Sequence, residues 1–328
     1  MFNSRPRFED LPLREGDPPW SAWGLYGPDD ELGTLNLLSA QTVLKASEEI
    51  RTGRRFGLDL PIDYLTAPSH GRTALSHTVI WKAPRAVHDD EIAFNTQIST
   101  QWDGLRHIGY AREGLWYNGV RQPHISGEDG ERTTTLGIHA WAKQGIVGRG
   151  VLVDYYHWRM KQHKPFDTQV AHEITLDEII ACAKDQNLEF QPGDILFIRS
   201  GWRVGYERRT VEEKLQWSTD SPTWIGVEAS LRMVKWLWNT GFSACAGDAP
   251  AWECLLNGQP PVPDEAMKGY ISHEIMIAGW GMPIGEYFDL EELSAECHRQ
   301  SRSLASHSGP TASKLAVNVW QQIDLSPQ

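Results

Sequence analysis

Residues 192–202 of the chain read PGDILFIRSGW, a proline-glycine turn followed by a run of apolar residues. A short apolar run behind a turn predicts a strand that is buried on both faces. The preceding segment, TLDEIIACAKDQN, predicts a helix, because Thr175 and Glu178 have the spacing of a capping box. The later segment VEASLRMVKWLWNTG predicts another helix, with one apolar stripe and with Gly241 at its end. The stripe consists of Val227, Leu231, Val234 and Leu237.

Strand signals continue on both sides of these segments. FSACAGDAP, residues 242–250, predicts a short strand that ends in a polar turn. GIVGRGVLVDYY predicts a loop that feeds a buried strand at residues 151–155. In the first half of the chain, RRFGLDLPI, ALSHTVIW and EIAFNTQI also predict strands. Because strands and helices alternate in the second half and strands dominate the first, we expect an α/β domain with a mixed sheet.

The two ends of the chain differ from this central region. Residues 1–38 are rich in Pro, Gly and Asp, which predicts an extended N-terminal arm with many turns. A helix is then expected, with Ser39 as its N-cap and Gly53 just past its end. The main domain is expected to span residues 39–300, and the serine-rich residues 301–328 are expected to form a C-terminal tail.

Charge and composition exclude several classes of partner. The chain has 328 residues, 40% of them hydrophobic, which is enough to bury a large core. A formal net charge of −12 repels nucleic acid and anionic membranes, so neither is expected as a partner. Four cysteines without CxxC pairing, no signal segment and no long apolar run predict a soluble, cytoplasmic protein with free thiols. A small-molecule substrate remains compatible with these features.

One short segment, STQWDGLRH, concentrates side chains that are costly to bury without partners. Gln97, Gln101 and Asp103 share parity, so on an extended strand they project from the same face. Gly104 frees the backbone to turn, which lets His107 fold back towards Asp103. A carboxylate, amide oxygens and an imidazole suit an oxygen-rich site for a divalent metal. Taken alone, the segment is explained better by a hydrogen-bonded loop in which the Gln and Asp side chains satisfy backbone donors.

Two further polar positions interrupt apolar segments. In SHEIMIAGWGMPIGEYFDLEEL, His273 begins an apolar run and Glu286 follows Pro283 and Gly285, which is unusual for a surface glutamate. Asp248 ends the strand predicted at residues 242–250, where ligand groups collect in α/β folds, although an Asx-turn accounts for it as well. The sequence contains no GxSxG, P-loop, GxGxxG or HExxH motif, so nucleotide binding and serine-hydrolase chemistry are not indicated.

Taken together, these segments resemble the cyclase family that includes bacterial kynurenine formamidase and isatin hydrolase. The resemblance spans roughly residues 8–298 and is greatest to the branch of stand-alone cyclase-like proteins of fungi and bacteria. It implies a swivelling β/β/α fold for a single catalytic domain and a homodimer or homotetramer. It also implies a metal-dependent site that hydrolyses amide or lactone-like bonds. The segments that carry it are WGLYGPDDELGTLNLL, STQWDGLRH, WYNG, GIVGRGVLVD, PGDILFIRSGW, GDAPAWE and GWGMPIGEYFDLEEL.

The family signature HxxxHxDxxxH can be transferred residue by residue. Asp103 matches its aspartate, His107 matches the final histidine that handles protons there, and His273 and Glu286 match the later metal ligands. Gln97 and Gln101 stand where the family has its two leading histidines. Amides are poorer zinc ligands than imidazoles, so the resemblance implies one ion held by Asp103, His273 and Glu286, with Gln101 helping. Such a shell favours Mn²⁺ or Mg²⁺ over Zn²⁺.

Three functions are compatible with this sequence. The first is a hydrolase of an amide, lactone or ester, in which a metal or His107 activates water and Asp103 organises the site. The second is a metal-free cyclase or lyase of secondary metabolism that relies on His107 and Asp103 alone. The third is a non-catalytic binding protein on the same scaffold. Candidate residues for gripping an aromatic or polyketide-like substrate, each of which core packing or a turn also explains, are Trp102, Tyr117, Asn118, Asp248 and Trp252.

Overall fold

A computed structural model describes residues 5–127, 133–220, 222–304 and 314–319 of the chain. The strands are β1 (Ser76–Trp81), β2 (His88–Ala93), β3 (Gln101–Asp103), β4 (Ile146–Val153), β5 (Glu173–Ile174), β6 (Ile195–Ile198), β7 (Gly226–Val227), β8 (Ala244–Gly247), β9 (Ile284–Glu286) and β10 (Lys314–Val319). The helices are α1 (Ala40–Ser47), α2 (Gln122–Ser126), α3 (His139–Gln144), α4 (Tyr155–Lys161), α5 (Leu176–Asp185), α6 (Trp202–Arg208), α7 (Val211–Thr219), α8 (Leu231–Thr240) and α9 (Glu291–Leu304). Short 3₁₀ turns and one π-helical turn, Glu274–Gly279, complete the elements.

The central element is a six-stranded sheet in the order β10-β4-β6-β8-β9-β3. Strands β4, β6, β8 and β9 run parallel to one another, whereas the two edge strands, β3 and β10, run antiparallel to their neighbours. The predicted α/β fold with a mixed sheet is therefore confirmed. Two pairs of strands, β1 with β2 and β5 with β7, form separate two-stranded sheets.

The helices that flank the sheet begin and end largely where the sequence predicts. The capping box at Thr175 and Glu178 opens α5, and Ser39 caps α1. Helix α8 ends at Gly241, which has a left-handed backbone with φ of 85°. The predicted start of α8 is wrong, because Ser230 accepts a hydrogen bond from the Met233 amide and caps the helix there. Val227 therefore belongs to β7 and not to the stripe.

Two strand predictions in the first half are wrong for a shared reason. Side chains form hydrogen bonds with backbone groups that would have to pair with a neighbouring strand. Residues 54–62 form no strand, since the Leu60 amide donates to Thr100 Oγ1 and the Leu60 carbonyl accepts from Ser99 Oγ. The run at residues 91–98 is a strand only as far as Ala93. Asn95 then accepts a hydrogen bond from the Gln97 amide and starts a 3₁₀ turn.

Two other predicted boundaries shift. Strand β4 begins at Ile146 instead of residue 151, and Tyr155 starts α4 instead of ending the strand. The loop expected at GIVGRG is therefore strand, and Gly148 serves packing there, because a Cβ would lie 2.8 Å from a methyl of Leu38. Helix α1 ends at Ser47, whose hydroxyl donates to the Leu44 carbonyl, well before the end expected at Gly53.

The described part of the N-terminal arm is irregular apart from short 3₁₀ turns, and it packs closely on the domain. Trp23 and Leu35 are buried, and Thr34 Oγ1 donates to the Ser243 carbonyl beside β8. A Cβ on Gly33 would lie 2.1 Å from the carbonyl oxygen of Gly281, so only glycine allows this approach. The arm therefore completes the core around the segment that leads to β9.

The predicted C-terminal tail, residues 301–328, is described only in part. Helix α9 continues to Leu304, across the expected boundary at residue 300. Strand β10 pairs antiparallel with β4, with Lys314 opposite Val151 and Val319 opposite Ile146. The remaining tail residues and residues 1–4 of the arm lie outside the described residues, and the division into three regions stays a prediction. Across the described ranges, no helix is both long and apolar enough to cross a bilayer.

Candidate metal and proton-transfer site

The pairing of β3 with β9 brings three of the predicted site residues together. Gln101 lies opposite Glu286 in the register, and its Nε2 donates to Glu286 Oε2 at 2.8 Å. Asp103 is two residues along β3 and therefore projects from the same face as Gln101. Trp102 projects from the other face, where it packs edge-on against Phe288 with ring centroids 5.1 Å apart. The alternation of the strand thus separates a polar face from an apolar one.

His273 reaches this polar face from the segment just before the π-helical turn. Its Nε2 lies 3.5 Å from Asp103 Oδ2 and 3.2 Å from Glu286 Oε1. Its other nitrogen, Nδ1, bonds to Glu253 Oε2. All four of these side chains are buried. The predicted convergence of Asp103, His273 and Glu286 is thus present in the structure.

The other glutamine, Gln97, lies in the 3₁₀ turn at Thr96–Ile98 and not on the strand. Its Nε2 donates to Asp103 Oδ1, and its Oε1 accepts from Gln101 Nε2 at 3.1 Å. The guanidinium of Arg72 donates to the Gln97 carbonyl at 3.1 Å. The two amides therefore form a bridge that holds the carboxylates of Asp103 and Glu286.

The charges at the centre shift the pKa values strongly. Burial and the Asp103 carboxylate raise the pKa of Glu286 to about 8. Burial alone would raise the pKa of Asp103 as well, but His107 and His273 hold it below its usual range. Burial would lower the pKa of His273, yet Glu253, Asp103 and Glu286 together raise it well above its ordinary value. The centre therefore carries a surplus of acidic groups that stabilises positive charge.

His107 lies at the more accessible side of this centre. A turn in which the His107 amide donates to the Gly104 carbonyl at 2.9 Å folds the chain back after β3. The His107 Nε2 lies 3.8 Å from Asp103 Oδ2, and 28% of the side chain is exposed. Burial, opposed by Asp103, lowers the pKa of His107. A neutral imidazole beside an ionised carboxylate can accept a proton from a molecule at the site.

The hydrogen bonding of two buried oxygens indicates whether the centre fits a cation. Within the described residues, Asp103 Oδ2 and Gln101 Oε1 have no hydrogen-bond partner. Asp103, His273 and Glu286 each offer a ligand atom, and these atoms lie within 4.8 Å of one another. Buried lone pairs without donors are costly, and a divalent cation at this group would satisfy the Asp103 oxygen. The donor set therefore fits a divalent metal. Glu253, which bonds to Nδ1 of His273, and the two amides that bond to the carboxylates would orient the ligands.

The residues predicted to grip a substrate lie in other surroundings. Tyr117 donates its hydroxyl to Asp30 at 2.9 Å. Asn118 accepts from the Gly24 amide at 3.0 Å, and its Nδ2 donates to the Gly27 carbonyl at 3.1 Å. Both therefore fasten the N-terminal arm to the domain. A substrate contact by either of them stays a prediction.

Asp248 and the two tryptophans are also accounted for by packing. Both oxygens of Asp248 accept hydrogen bonds from the Ser200–Gly201 turn. These bonds lower the pKa of Asp248, but burial outweighs them and raises it to about 6. Trp102 and Trp252 are 3% exposed each and belong to the core. Their indole Nε1 atoms have no partner within the described residues. Their roles in substrate binding stay predictions.

Glu253 is the member of the centre that sequence reasoning missed. It lies after β8, held by a parallel bridge to Val227, and is 2% exposed. The available signal is a lone acid within the apolar segment PAWECLL, where a buried charge needs a partner. His273 is that partner, although it lies 20 positions further along the chain.

A second polar cluster lies at the C-terminal ends of β4 and β6. The buried carboxylate of Asp154 accepts hydrogen bonds from Arg199 at 2.9 Å, from His298 at 2.8 Å and from the hydroxyl of Ser294. A cavity of about 470 Å³ opens beside it. The rings of His157 and His298 stack along this cavity with centroids 3.6 Å apart. None of the predicted site residues lines the cavity.

Comparison with known proteins agrees with this architecture. A family model described as "Putative cyclase" matches residues 44–254. The chain belongs to this family. The match includes Asp103, His107 and Glu253 and ends before His273 and Glu286. Membership places the protein among the cyclase-family enzymes, and no curated protein matches the chain.

Several solved structures are similar to the chain to different degrees. A crystal structure described as a novel cyclase is 28% identical, with a TM-score of 0.69 over 85% of this chain and 90% of the other. Isatin hydrolase A from Labrenzia aggregata, bound to benzyl benzoate, is 13% identical, with a TM-score of 0.49 over 76% and 87%. Isatin hydrolase A from Ralstonia solanacearum is 14% identical, with a TM-score of 0.48 over 77% and 86%. The cyclase structure confirms the fold of the domain.

Proposed function

We propose that the protein is a metal-assisted hydrolase that cleaves an amide, lactone or ester bond in a small metabolite of aromatic or polyketide-like character. One observation carries the proposal: three potential ligands converge next to a partly exposed histidine, and one of their oxygens, Asp103 Oδ2, is buried without a hydrogen-bond partner among the described residues. Membership of the cyclase family supports it.

The proposed roles follow from position. Asp103, His273 and Glu286 hold a divalent cation, and Gln101, whose Nε2 donates to Glu286, lies beside them. When bound, the cation supplies Lewis-acid chemistry that polarises a carbonyl and makes water more acidic. The many oxygen donors favour Mn²⁺ or Mg²⁺ over Zn²⁺.

His107 is the group that moves the proton in this proposal. It is the most accessible titratable residue of the centre, and Asp103 stabilises the imidazolium that forms when it accepts a proton from water. The same imidazolium then donates the proton to the departing nitrogen or oxygen, which restores the starting state. Glu253 acts on His273 alone, by fixing the orientation of its ring.

A second candidate, a metal-free cyclase or lyase, is favoured by the amide bridge. Gln97 and Gln101 donate hydrogen bonds to Asp103 and Glu286, which stabilises these groups without an ion. In that case His107 and Asp103 would carry out acid-base chemistry alone.

Metal analysis combined with activity separates the two. The full chain would be purified without chelator, its bound metals measured by mass spectrometry, and turnover of aryl amides, lactones and esters followed before and after EDTA. The hydrolase proposal predicts about one ion per chain, loss of turnover with EDTA, and recovery with Mn²⁺ or Mg²⁺. Asp103→Asn should lose both metal and turnover while its unfolding transition stays like that of wild type. Asp185→Asn on the surface should lose neither. Turnover that survives EDTA but not Asp103→Asn would favour the metal-free candidate.

A further inference from the structure

Arg72 is a charged residue beside the centre that the proposed mechanism does not use. Its side chain is partly buried. Among the described residues, its guanidinium forms no ion pair and one hydrogen bond, from Nη1 to the Gln97 carbonyl at 3.1 Å. Arg199 and Arg203, which are also largely removed from solvent, each contact two carboxylates. A guanidinium has more donors than one contact uses, so Arg72 retains donors for a bound molecule.

A tight turn carries Arg72. The turn spans residues 69–72, and the Arg72 amide donates to the Ser69 carbonyl at 3.3 Å. His70 and Gly71 have φ of 59° and 65°, as in a type I′ turn. A positive φ is costly for histidine and persists only where the surroundings hold it. The hydroxyl of Ser69 bonds to Nδ1 of His70 at 2.9 Å, so the turn is fixed locally.

The residues after the turn connect Arg72 to the candidate metal site. The Asn95 amide donates to the Thr73 carbonyl at 3.1 Å, and Asn95 Oδ1 accepts from the Gln97 amide at 2.9 Å. The side chain of Gln97 in turn donates to Asp103. Arg72 is therefore bonded to the residue that holds one of the proposed metal ligands.

The charge of Arg72 acts on two groups of the centre. Burial is the main cause of the lowered pKa of His107, and the charge of Arg72 adds to it. Burial and Asp103 raise the pKa of Glu286, and the charge of Arg72 opposes them. Because interactions between charges weaken with distance, these effects are expected of a guanidinium close to both groups.

We propose that Arg72 binds a carboxylate of the substrate, so that the enzyme selects metabolites that carry an acidic group as well as the bond to be cleaved. The inference rests on the proposed function, because it assigns a substrate class to the same site. The N–H groups of a guanidinium match the two oxygens of a carboxylate, and such charge-assisted pairs are stronger than neutral hydrogen bonds.

An anionic substrate needs a local positive charge in this protein. The chain has a net charge of −12, and the centre contains the buried carboxyl groups of Asp103, Glu253 and Glu286. The proposed divalent cation offsets two of these negative charges, and Arg72 offsets the third. Removal of Arg72 leaves the centre negative, which repels a substrate carboxylate.

Binding of a simple aromatic anion tests the inference without catalysis. Calorimetric titration of the full chain, as purified, compares benzoate with its neutral analogue benzamide. Benzoate should bind more tightly, and Arg72→Gln should weaken benzoate binding about 10- to 100-fold more than benzamide binding, the range for a hydrogen bond to a charged group. Arg85→Gln, an exposed substitution between β1 and β2, is the matched control and should bind benzoate as wild type does. Benzoate that does not bind to wild type, or binds equally to Arg72→Gln, would overturn the inference.

A lysine variant covers the case in which Arg72→Gln fails to fold. Arg72→Lys keeps the charge and a donor for the Gln97 carbonyl, but it lacks the planar fork. It should weaken benzoate binding by about 2- to 10-fold, as for the loss of one hydrogen bond, and its unfolding transition should stay like that of wild type. Wild-type affinity in Arg72→Lys would contradict the proposed contact with both carboxylate oxygens.

Turnover of matched esters separates this inference from the proposed function. Phenyl acetate and the three positional isomers of acetoxybenzoate contain the same acetyl ester and differ in a carboxylate. At least one isomer should have a higher kcat/KM than phenyl acetate, and Arg72→Gln should raise the KM of that isomer about 10- to 100-fold more than the KM of phenyl acetate. Hydrolysis of phenyl acetate with no preference for any isomer would overturn the inference and leave the hydrolase proposal intact. Benzoate binding through Arg72 without hydrolysis of any ester would support the inference and count against the hydrolase proposal.

Discussion

Glu253 bonds to Nδ1 of His273, which leaves the opposite nitrogen, Nε2, directed at Asp103 and Glu286. Both residues are buried, so the ring has one orientation and its ligating edge is fixed. A carboxylate behind a histidine in this way also makes the imidazole a better electron donor.

This contact predicts the effect of changing Glu253. Glu253→Gln should weaken divalent-metal binding by about 10- to 100-fold, because the amide orients the ring less strongly and carries no charge. Calorimetric titration of metal-free protein with Mn²⁺ measures the change. Glu212→Gln, an exposed substitution on α7, is the control and should bind as wild type does. Unchanged affinity in Glu253→Gln would mean that His273 is not a ligand.

The amide bridge predicts how the metal preference could be altered. Gln97→His with Gln101→His should raise zinc occupancy towards one ion per chain, because imidazoles replace weak amide donors. Zinc content after purification with equal zinc supply is the measurement. Gln122→His with Gln216→His adds two imidazoles on the exposed surface and controls for nonspecific uptake. Background zinc in the first variant would show that these positions do not face the metal.

The position of His107 predicts a loss of rate without a loss of metal. His107→Ala should slow turnover by about 10²- to 10⁴-fold, the usual range for one acid-base group, and added imidazole should restore part of the rate. Its metal content should equal that of wild type. His139, whose Nε2 lies 3.8 Å from Glu31, is a matched histidine outside the site, and His139→Ala should keep full activity. Metal loss in His107→Ala would instead identify His107 as a ligand.

The buried, ionised carboxylate of Asp154 should make the fold less stable in acid. Burial alone would raise its pKa, but the hydrogen bond from His298 and the charge of Arg199 hold it well below its usual range. The stabilisation is therefore present above the unfolded pKa of about 3.9 and is lost as the pH falls below it. Asp154→Asn should cost about 3–5 kcal/mol at pH 7, because it leaves the Arg199 charge without its buried partner.

Urea unfolding between pH 7 and pH 3 measures this loss. The difference in free energy of unfolding between wild type and Asp154→Asn should become smaller as the pH falls, because the variant has no carboxylate to protonate. Asp177→Asn, which removes an exposed carboxylate paired with Arg232, should show a small gap throughout. A gap for Asp154→Asn that is independent of pH would contradict the assigned pKa direction.

The success of the sequence predictions depended on how local each signal was. Gln101 and Asp103 share a face because parity on a strand is a property of neighbouring residues. The capping box of α5 and the end of α8 at Gly241 are equally local and were predicted correctly. The resemblance to the cyclase family supplied the partners His273 and Glu286, which spacing alone could not place.

Some of the failures involve partners that are distant in the sequence. The apolar run at residues 54–62 has the composition of a strand, but Thr100 and Ser99 take its backbone bonds. Glu253 joins the centre through its contact with His273, and although a lone acid in an apolar segment signals a buried partner, the segment does not specify which residue that partner is.

The position of β10 has a consequence for biosynthesis. Strand β4 is buried along almost its whole length, and β10 occupies its outer edge, although Lys314 follows Val153 by 161 residues. At roughly 5–20 residues per second, the ribosome makes β10 on the order of ten to thirty seconds after β4. During that interval the edge of β4 is open to strands of neighbouring nascent chains. Closure of the sheet by β10 therefore comes late in folding, after the strands from β4 to β9 have been synthesised.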